Sequence, residues 1–567
     1  MIKKSLSRVG CVPILMLLCG LTLAAPAPCG AARPAGQQPE NQYCVPETDE
    51  FTKTLIDNLT ARGFQVTQGC AELYTQQDCI DHTYPAFKNC FGNNPAAPYV
   101  LPVLKSWPDE YVDPATVNAW VKTDPGYIVT YRFDPRDAIV IYGKMPPPGR
   151  YMGLQTFAFS QHGKWKPKDF AEWANTPDLA IPIQYLFDTI PPIDTIPPGD
   201  PIPQRVITLS SLGDVINNVV MKDASGEDPF GTTRYFITTP SAATADAIRL
   251  ALGEQPVPDE DIFTEHIPRR DDLGPIGPLG MGKNAIDFFT AFRYAVPDPD
   301  YAQEAQDWRE NPPLKVLRVR APASLGPVQR FGTLVYDPMG GYSEVTDQSL
   351  VDGLKDLVDE VCETAGSETG LSTVDCGPSP PEASFMTDLK RDYGWLGPYC
   401  RDIGMDCLGD QREAAYFFSS PRPLDDEHVY AIVGTLATET GNATYVAMSV
   451  NDASLMSGIA NVMDGDLTDS EGNIIKGLKG SAESYIAGNN PDKFFVHYFA
   501  KDCSLIQNVP DWPDSCTAIS GTDPLGDPAL KDRIIISLRD YIAQGTARGP
   551  NSEKLLTPRI LTFTKQP

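Results

Sequence analysis

The chain has 567 residues, of which 74 are Asp or Glu and 46 are Lys or Arg, so its formal net charge is −28. A surface of that sign repels nucleic acid phosphates and anionic membranes, so nucleic acid is excluded as an expected partner of this acidic protein. The length exceeds what a single hydrophobic core organises, which predicts about two to four domains.

The N-terminal residues are typical of a secretory signal peptide. Three basic residues precede an apolar stretch, Cys11–Ala25. The small residues of a cleavage site, Cys29–Ala31, follow this stretch. We therefore predict a signal peptide over residues 1–31 and a secreted or periplasmic protein. A membrane anchor is the alternative, but the stretch contains Pro13 and is short for a spanning helix. Since no later segment reaches about 18 apolar residues, no transmembrane segment is expected after the signal.

The same plan occurs twice along the chain. Residues 48–59 and 346–361 each begin with Thr-Asp and continue with helical spacing, and each is followed by a cysteine-bearing loop. Further on, several residues in 211–223 match residues in 454–466 at one constant offset. This pattern predicts an internal repeat.

The repeat predicts where the domains divide. We place the first β-rich repeat at residues 44–330 and the second at residues 331–567. Residues 160–207 of the first repeat have no counterpart in the second, and they form a Pro-rich insertion. A strut, a recognition strip and a packed loop that covers a sheet edge are alternatives for its proline tract.

Short β-branched and aromatic runs between Gly and Pro residues predict strands. The clearest runs are Tyr127–Tyr131, Ala138–Tyr142, Tyr235–Thr238, Lys315–Arg320, Val429–Val433 and Phe494–Phe499. Turn residues at Asp134–Asp137 and Pro423–Asp426 predict antiparallel hairpins between consecutive strands. The expected fold class is α+β and β-rich, with two homologous antiparallel sandwich or jelly-roll-like domains, each preceded by a helix.

The cysteines predict a disulfide framework. Of the 13 cysteines, those in or beside the signal peptide are removed with it, and the remaining even set can pair completely in an oxidising compartment. A zinc site is the alternative, but no CxxC pair occurs. Proximity along the chain gives these expected pairs: Cys362–Cys376, Cys400–Cys407, Cys503–Cys516, Cys70–Cys79 and Cys44–Cys90.

The insertion holds the candidate ligand-binding residues. Trp165, Phe170 and Trp173 lie among three lysines, so this segment is an aromatic and basic island in an acidic chain. Planar rings stack on sugars and on apolar polymers, which makes these residues the first surface to test for binding.

An acidic turn near the end of the matched segment is the candidate metal site. Asp464, Asp466, Asp469 and Glu471 offer carboxylate oxygens, and glycines between them let the backbone bend round an ion. Calcium takes about six to eight oxygen ligands, so calcium is the cofactor that this turn would bind. The spacing is not that of an EF-hand, and a solvated turn is the alternative. No other cofactor is expected.

One strand resembles a known group of proteins. Arg150–Thr156, with the sequence Arg-Tyr-Met-Gly-Leu-Gln-Thr, is similar to the Arg-Tyr-aromatic-Ser-x-Gln strand of a family of exported bacterial proteins with paired β-domains of unknown function. The chain lacks the Asn-x-Asp-Thr-x-Tyr motif of that family. The resemblance implies a pair of jelly-roll domains and brings no activity with it.

Taken together, these patterns predict an exported, disulfide-stabilised protein that binds an extracellular small molecule or polymer. A secreted hydrolase that acts on an extracellular polymer is the alternative, and it would need His266, His428 or His497 beside a carboxylate in a cleft. No nucleophile motif identifies catalytic residues. A passive envelope or matrix protein is the third interpretation.

Overall fold

Two β-sandwiches, each with a helix at its start, make up the described part of the chain, so the predicted α+β, β-rich fold class is confirmed. The predicted domain boundary at residue 330 lies outside the described residues. The computed structural model describes residues 43–565 except 47, 88, 96, 115, 163–204, 213–215, 268–278, 330, 332–338, 340, 370, 374–375, 377–386, 389–408, 410, 469–473, 487, 489, 524–525 and 527.

The first sandwich is a long sheet that curls back on itself. Its strands are β1 Gln65–Tyr74, β2 Tyr99–Lys105, β3 Tyr127–Ile128, β4 Asp137–Lys144, β5 Gly149–His162, β6 Arg205–Ser211, β7 Ile216–Asn217, β8 Thr233–Thr239, β9 Ile262–His266, β10 Asp287–Pro297 and β11 Leu314–Arg320. The order is β6-β5-β10-β2-β1-β11-β4-β8-β9. Residues 65–69 of β1 pair with β11 and residues 70–74 pair with β2. The first outer sheet consists of β1, β11, β4, β8 and β9 in that spatial order. The first inner sheet consists of β6, β5, β10, β2 and β1 in that order.

The second sandwich has two separate main sheets in the described residues. Its strands are β12 Ser372–Thr373, β13 Thr387–Asp388, β14 Ala414–Phe418, β15 Arg422–Pro423, β16 His428–Thr435, β17 Tyr445–Asp452, β18 Ser457–Met463, β19 Leu467–Thr468, β20 Ile474–Ile475, β21 Phe494–Ala500, β22 Cys516–Ala518, β23 Arg533–Tyr541 and β24 Arg559–Thr564. The second outer sheet has the order β12-β24-β16-β21-β22, and the second inner sheet has the order β13-β14-β23-β17-β18.

The strand orders of the two sandwiches correspond. The first outer sheet, β1-β11-β4-β8-β9, matches β12-β24-β16-β21-β22, and the first inner sheet, β2-β10-β5-β6, matches β14-β23-β17-β18. In both outer sheets the described pairs are antiparallel except the last, β8 with β9 and β21 with β22, which is parallel. A duplicated chain would produce this match.

Helices cover the outer sheets. Asp49 caps the first long helix by accepting a hydrogen bond from the Thr52 backbone N–H at 2.7 Å, and Leu55 and Leu59 of that helix pack on the outer sheet. The corresponding helix of the second sandwich packs Leu357 on its own outer sheet. None of the described helices is long and apolar enough to cross a membrane. The described α-helices are α1 Glu50–Ala61, α2 Gln76–Asp78, α3 Tyr84–Phe87, α4 Asn218–Ser225, α5 Ala242–Gly253, α6 Ala302–Glu310, α7 Gln348–Thr369 and α8 Ala437–Thr440.

The core of each sandwich lies between its outer and inner sheets. Phe236 of β8 and Phe292 of β10 share the first core, and Ile432 of β16 and Leu538 of β23 share the second. Each such side chain stabilises the fold by about 1.5–3 kcal/mol when fully buried. The residues from Tyr43 onward form one compact unit. A further apolar cluster joins β5 and β10 of the first inner sheet to β17 and β23 of the second.

The disulfides correct part of the predicted framework. The predicted pairs Cys362–Cys376 and Cys503–Cys516 are present, and Cys400–Cys407 lies outside the described residues. The predicted pairs Cys70–Cys79 and Cys44–Cys90 are wrong, because the structure joins Cys44 to Cys70 and Cys79 to Cys90. Cys70 lies in β1 and Cys79 begins the next helical turn, so proximity along the chain did not show which way the two sulfurs face.

The two predicted hairpins are also wrong. Asp134–Asp137 leads from β3, which pairs with β2, to β4, which pairs with β11 and β8. Pro423–Asp426 leads from β15, which pairs with β23, to β16 in the opposite sheet. The turn itself forms as expected, since the Asp137 backbone N–H donates to the Asp134 carbonyl at 2.9 Å. Turn residues satisfy the backbone equally well when the next strand joins the other sheet.

Candidate functional site

A buried carboxyl group lies where the two inner sheets meet. Glu413, next to β14, is fully buried, and it accepts hydrogen bonds from the Tyr151 hydroxyl at 2.7 Å and from the Asn217 side-chain amide at 2.6 Å. Burial raises the pKa of Glu413 to about 7, although these hydrogen bonds and the charge of Arg293 act in the opposite direction. Glu413 therefore changes charge in the neutral pH range while it links the two sandwiches.

Three tyrosines surround this carboxyl group. The rings of Tyr445 and Tyr541 stack with their centroids 4.4 Å apart, and the Tyr151 ring lies 5.5 Å from Tyr445 and 5.4 Å from Tyr541. Burial raises the pKa of Tyr151 and of Tyr445 well above the usual tyrosine range, so both hydroxyls stay protonated. The Tyr445 hydroxyl is buried and has no hydrogen-bond partner among the described residues.

Arg293 of β10 enters the same interface from the first sandwich. It is 4% exposed and lies directly opposite Gly153 in β5. A Cβ atom on Gly153 would lie 2.9 Å from the Tyr151 hydroxyl, so the backbone here leaves room for that hydroxyl. The guanidinium carbon lies 5.1 Å from the centroid of the Tyr99 ring and 5.4 Å from that of Phe157.

Backbone contacts hold the two sandwiches together beside this cluster. The Cys90 backbone N–H donates to the Leu455 carbonyl at 2.8 Å, and the Gly92 N–H donates to the Met456 carbonyl at 2.7 Å. On the other side, the Gly409 N–H donates to the Leu209 carbonyl at 2.9 Å. The Cys90–Gly92 loop of the first sandwich thus lies against the turn between β17 and β18, and Gly409 of the second lies against β6.

The predicted ligand-binding residues are not described, but the ends of their segment are. Trp165, Phe170 and Trp173 lie outside the described residues. His162 at the end of β5 pairs with Arg205 at the start of β6, so the segment leaves and rejoins the sheet at adjacent positions.

The structure places half of the predicted calcium site. Asp464 forms an ion pair with Arg150, and Asp466 accepts from the Lys476 ammonium at 2.9 Å. Asp469 and Glu471 lie outside the described residues. No group of three or more His, Cys, Asp or Glu side chains suited to a metal occurs within the described part of the chain. Calcium binding stays a prediction, and protein cations already neutralise the two described carboxylates.

The histidines of the hydrolase alternative lie apart from one another. His428 contacts Asp425 at 2.7 Å, which is a local contact at the start of β16. His497 contacts the Thr517 hydroxyl at 2.8 Å, and burial lowers its pKa to about 3, so it is neutral at physiological pH. The His266 ring lies 4.0 Å from the ring of Phe331, and burial also lowers its pKa.

No local motif in the sequence marks Glu413 or Arg293 as functional residues. The usable signal is the repeat. When β5 is aligned with β17 so that Tyr151 matches Tyr445, Gly153 matches Ala447. Arg293 lies opposite Gly153, and Arg539 lies opposite Ala447. A buried arginine in both inner sheets would then have been expected.

Comparison with known proteins gives no family. No protein-family model and no curated protein matches the chain. The structure is similar to that of an uncharacterized protein from Burkholderia cenocepacia, with a TM-score of 0.30 and 9% sequence identity over 91% of this chain and 97% of the other. It is also similar to a Vibrio parahaemolyticus protein, with a TM-score of 0.28 and 10% identity over 76% of this chain and 87% of the other. Scores this low carry no argument about function.

Proposed function

We propose that the protein is an exported, disulfide-stabilised binding protein built from a duplicated β-sandwich, with its ligand-binding surface on residues 163–204. The observation that carries this proposal is a difference between two corresponding hairpins. In the second sandwich, β17 and β18 are joined by the short turn Ala453–Met456, because Asp452 pairs with Ser457. In the first, the corresponding strands are joined by the whole insertion, although its ends pair in the same way.

The insertion is therefore not required to close the hairpin of β5 and β6. A short turn closes the corresponding strands, so the added residues are free to serve binding. Their composition supports that role, because Trp165, Phe170 and Trp173 stand among lysines in a chain of net charge −28. Aromatic rings of this kind stack on sugars, and an extracellular polysaccharide is the ligand class that we propose.

Export is supported by the disulfides. Four pairs are present in the described residues, and such bonds persist in oxidising compartments. The signal-like residues 1–31 and the resemblance of residues 150–156 to exported paired β-domain proteins agree with it.

A hairpin exchange tests the proposal. Residues 163–204 are replaced by the Ala-Ser-Leu-Met turn of residues 453–456. We expect this variant to keep the thermal midpoint of the wild type, because the strand ends already pair, and to lose binding. Binding is measured as depletion of protein from solution by insoluble cellulose, chitin or peptidoglycan.

Point variants and a matched control complete the experiment. The double variant Trp165→Ala, Trp173→Ala should also lose binding, whereas Trp512→Ala should keep it, since Trp512 is a 40% exposed tryptophan outside the insertion. Equal binding by the hairpin variant and the wild type would show that the insertion is not the surface. A wild type that none of the three polymers depletes would contradict polysaccharide binding.

A further inference from the structure

Arg293 is a buried cation for which the described residues supply no hydrogen-bond acceptor. Its Nε atom has no partner, and no hydrogen bond or ion pair to its guanidinium is found among the described residues. The rings of Tyr99 and Phe157 flank the group, but ring faces do not accept the N–H groups in the guanidinium plane. Buried charges in proteins are normally paired and hydrogen-bonded, so an acceptor is missing here.

The second sandwich shows how the same position is satisfied. Arg539 of β23 corresponds to Arg293, and it donates to the Ser449 hydroxyl at 2.6 Å, to the Ser537 hydroxyl at 3.3 Å and to the Gly92 carbonyl at 2.9 Å. In the first sandwich the place of Ser449 is taken by Gln155. Equivalent backbone positions therefore hold Arg539, which has hydrogen-bond acceptors, and Arg293, which has none among the described residues. The difference comes from the side chains around the two arginines.

Two other polar groups near Arg293 also have no hydrogen-bond partner in the described part of the chain. Gln155 is 2% exposed, and neither atom of its amide has a hydrogen-bond partner among the described residues. It separates Gly153 from Phe157 on one face of β5, so it lies beside the path of the Arg293 side chain. The Tyr445 ring lies 5.5 Å from the ring of Tyr151, which is on the same face of β5 as Gly153, and no hydrogen-bond partner of the Tyr445 hydroxyl is found among the described residues.

We propose that a small organic carboxylate binds between the two sandwiches, with its carboxylate group on Arg293 and Gln155 and with the Tyr445 hydroxyl as a further donor. A planar guanidinium pairs with the two oxygens of a carboxylate, and an amide N–H and a hydroxyl can donate to the same oxygens. The flanking rings of Tyr99 and Phe157 provide an apolar wall for the rest of the ligand. Burial raises the pKa of Glu413 to about 7, although the Arg293 charge acts in the opposite direction. Below that pH Glu413 is neutral and Arg293 balances one negative charge, which favours a carboxylate over sulfate. This site is independent of the insertion.

Calorimetric titration tests the site. The intact disulfide-bonded protein, freed of carboxylate buffers by dialysis, is titrated with acetate and with benzoate, and separately with chloride at equal ionic strength. We expect saturable binding of one carboxylate per chain and no equivalent binding of chloride. Arg293→Met should weaken the carboxylate affinity by about tenfold or more, because it removes a charge-assisted bidentate contact.

The controls separate binding from folding. Arg62→Met removes an exposed arginine in contact with Glu254 and should leave the affinity unchanged. Gln155→Met keeps the side-chain volume and the Arg293 charge, so it should fold and bind more weakly. Without carboxylate and at a pH below the Glu413 pKa of about 7, Arg293→Met should not lower the thermal midpoint, since it removes a buried charge that has no hydrogen-bond partner among the described residues. Absence of saturable carboxylate binding, equal binding of chloride, or full affinity in both Arg293→Met and Gln155→Met would overturn the proposal.

Discussion

Replacement of Glu413 by Gln should remove a pH dependence from the stability of the protein. The folded pKa of Glu413 is about 7, and its ordinary value is 4.5. At about 1.4 kcal/mol per pKa unit, this difference corresponds to about 3 kcal/mol. Because the folded state holds the proton more tightly than the unfolded state, this stability is fully present below pH 4.5 and is lost as the pH rises through about 7.

The Gln variant keeps the local hydrogen bonds. Its amide oxygen can accept from Asn217, and its NH₂ group can donate to the Tyr151 oxygen while that hydroxyl turns to Gln411, whose side-chain oxygen is 3.2 Å away. The substitution therefore removes ionisation and leaves the packing unchanged. It should stabilise the protein by about 3 kcal/mol at pH values above the folded pKa and by little in acid.

Urea denaturation from about pH 5 to pH 8 measures the effect as a difference between variant and wild type. Glu265 is also buried with a pKa of about 7, but its contribution is the same in both proteins and cancels. Glu363→Gln on the exposed face of α7 is the matched control, and it should follow the wild type at every pH. A parallel loss of stability in Glu413→Gln and the wild type as the pH rises would show that Glu413 is not the group responsible.

Three further predictions concern the junction and the framework. Gly458→Ala should destabilise the protein by about 1–3 kcal/mol, because the new Cβ would lie 2.5 Å from Pro95 Cδ, whereas Gly282→Ala meets no atom within 4 Å and should be nearly neutral in thermal denaturation. The double variant Cys79→Ala, Cys90→Ala opens a loop of sequence separation 11 and should cost about 3 kcal/mol in the same assay; an unchanged midpoint would contradict the bond. Peptide mapping without reduction should find Cys44 linked to Cys70, and a Cys44–Cys90 peptide would show that the pairing is wrong.

Local features were predictable from the sequence. The β-branched runs of β4, β8, β16 and β21 and the Asp49 cap of α1 follow from residues close together in the chain, and the structure contains them. Helix α5 was missed, because its Ala-rich sequence follows a strand without a strong amphipathic pattern. The turn at Asp134–Asp137 was recognised, but the sheet that receives the next strand depends on packing across the sandwich core.

The candidate site depends on contacts between distant parts of the chain. Glu413 meets Tyr151 and Asn217 only because the two inner sheets pack face to face. The alignment of β5 with β17 makes Tyr151 and Tyr445 equivalent residues, yet equivalence does not show that their rings lie in one cluster. The lack of an acceptor for Arg293 among the described residues depends on the side chains around it in space, and no pattern in the sequence predicts it.

Native mass spectrometry, compared with denaturing mass spectrometry of the same sample, shows whether the protein holds a ligand. The protein is purified from its natural source without carboxylate buffers. We predict a native mass above the denatured mass by one small organic acid, and loss of that difference in Arg293→Met. A native protein whose mass equals that of the bare chain would contradict the account of a ligand between the sandwiches.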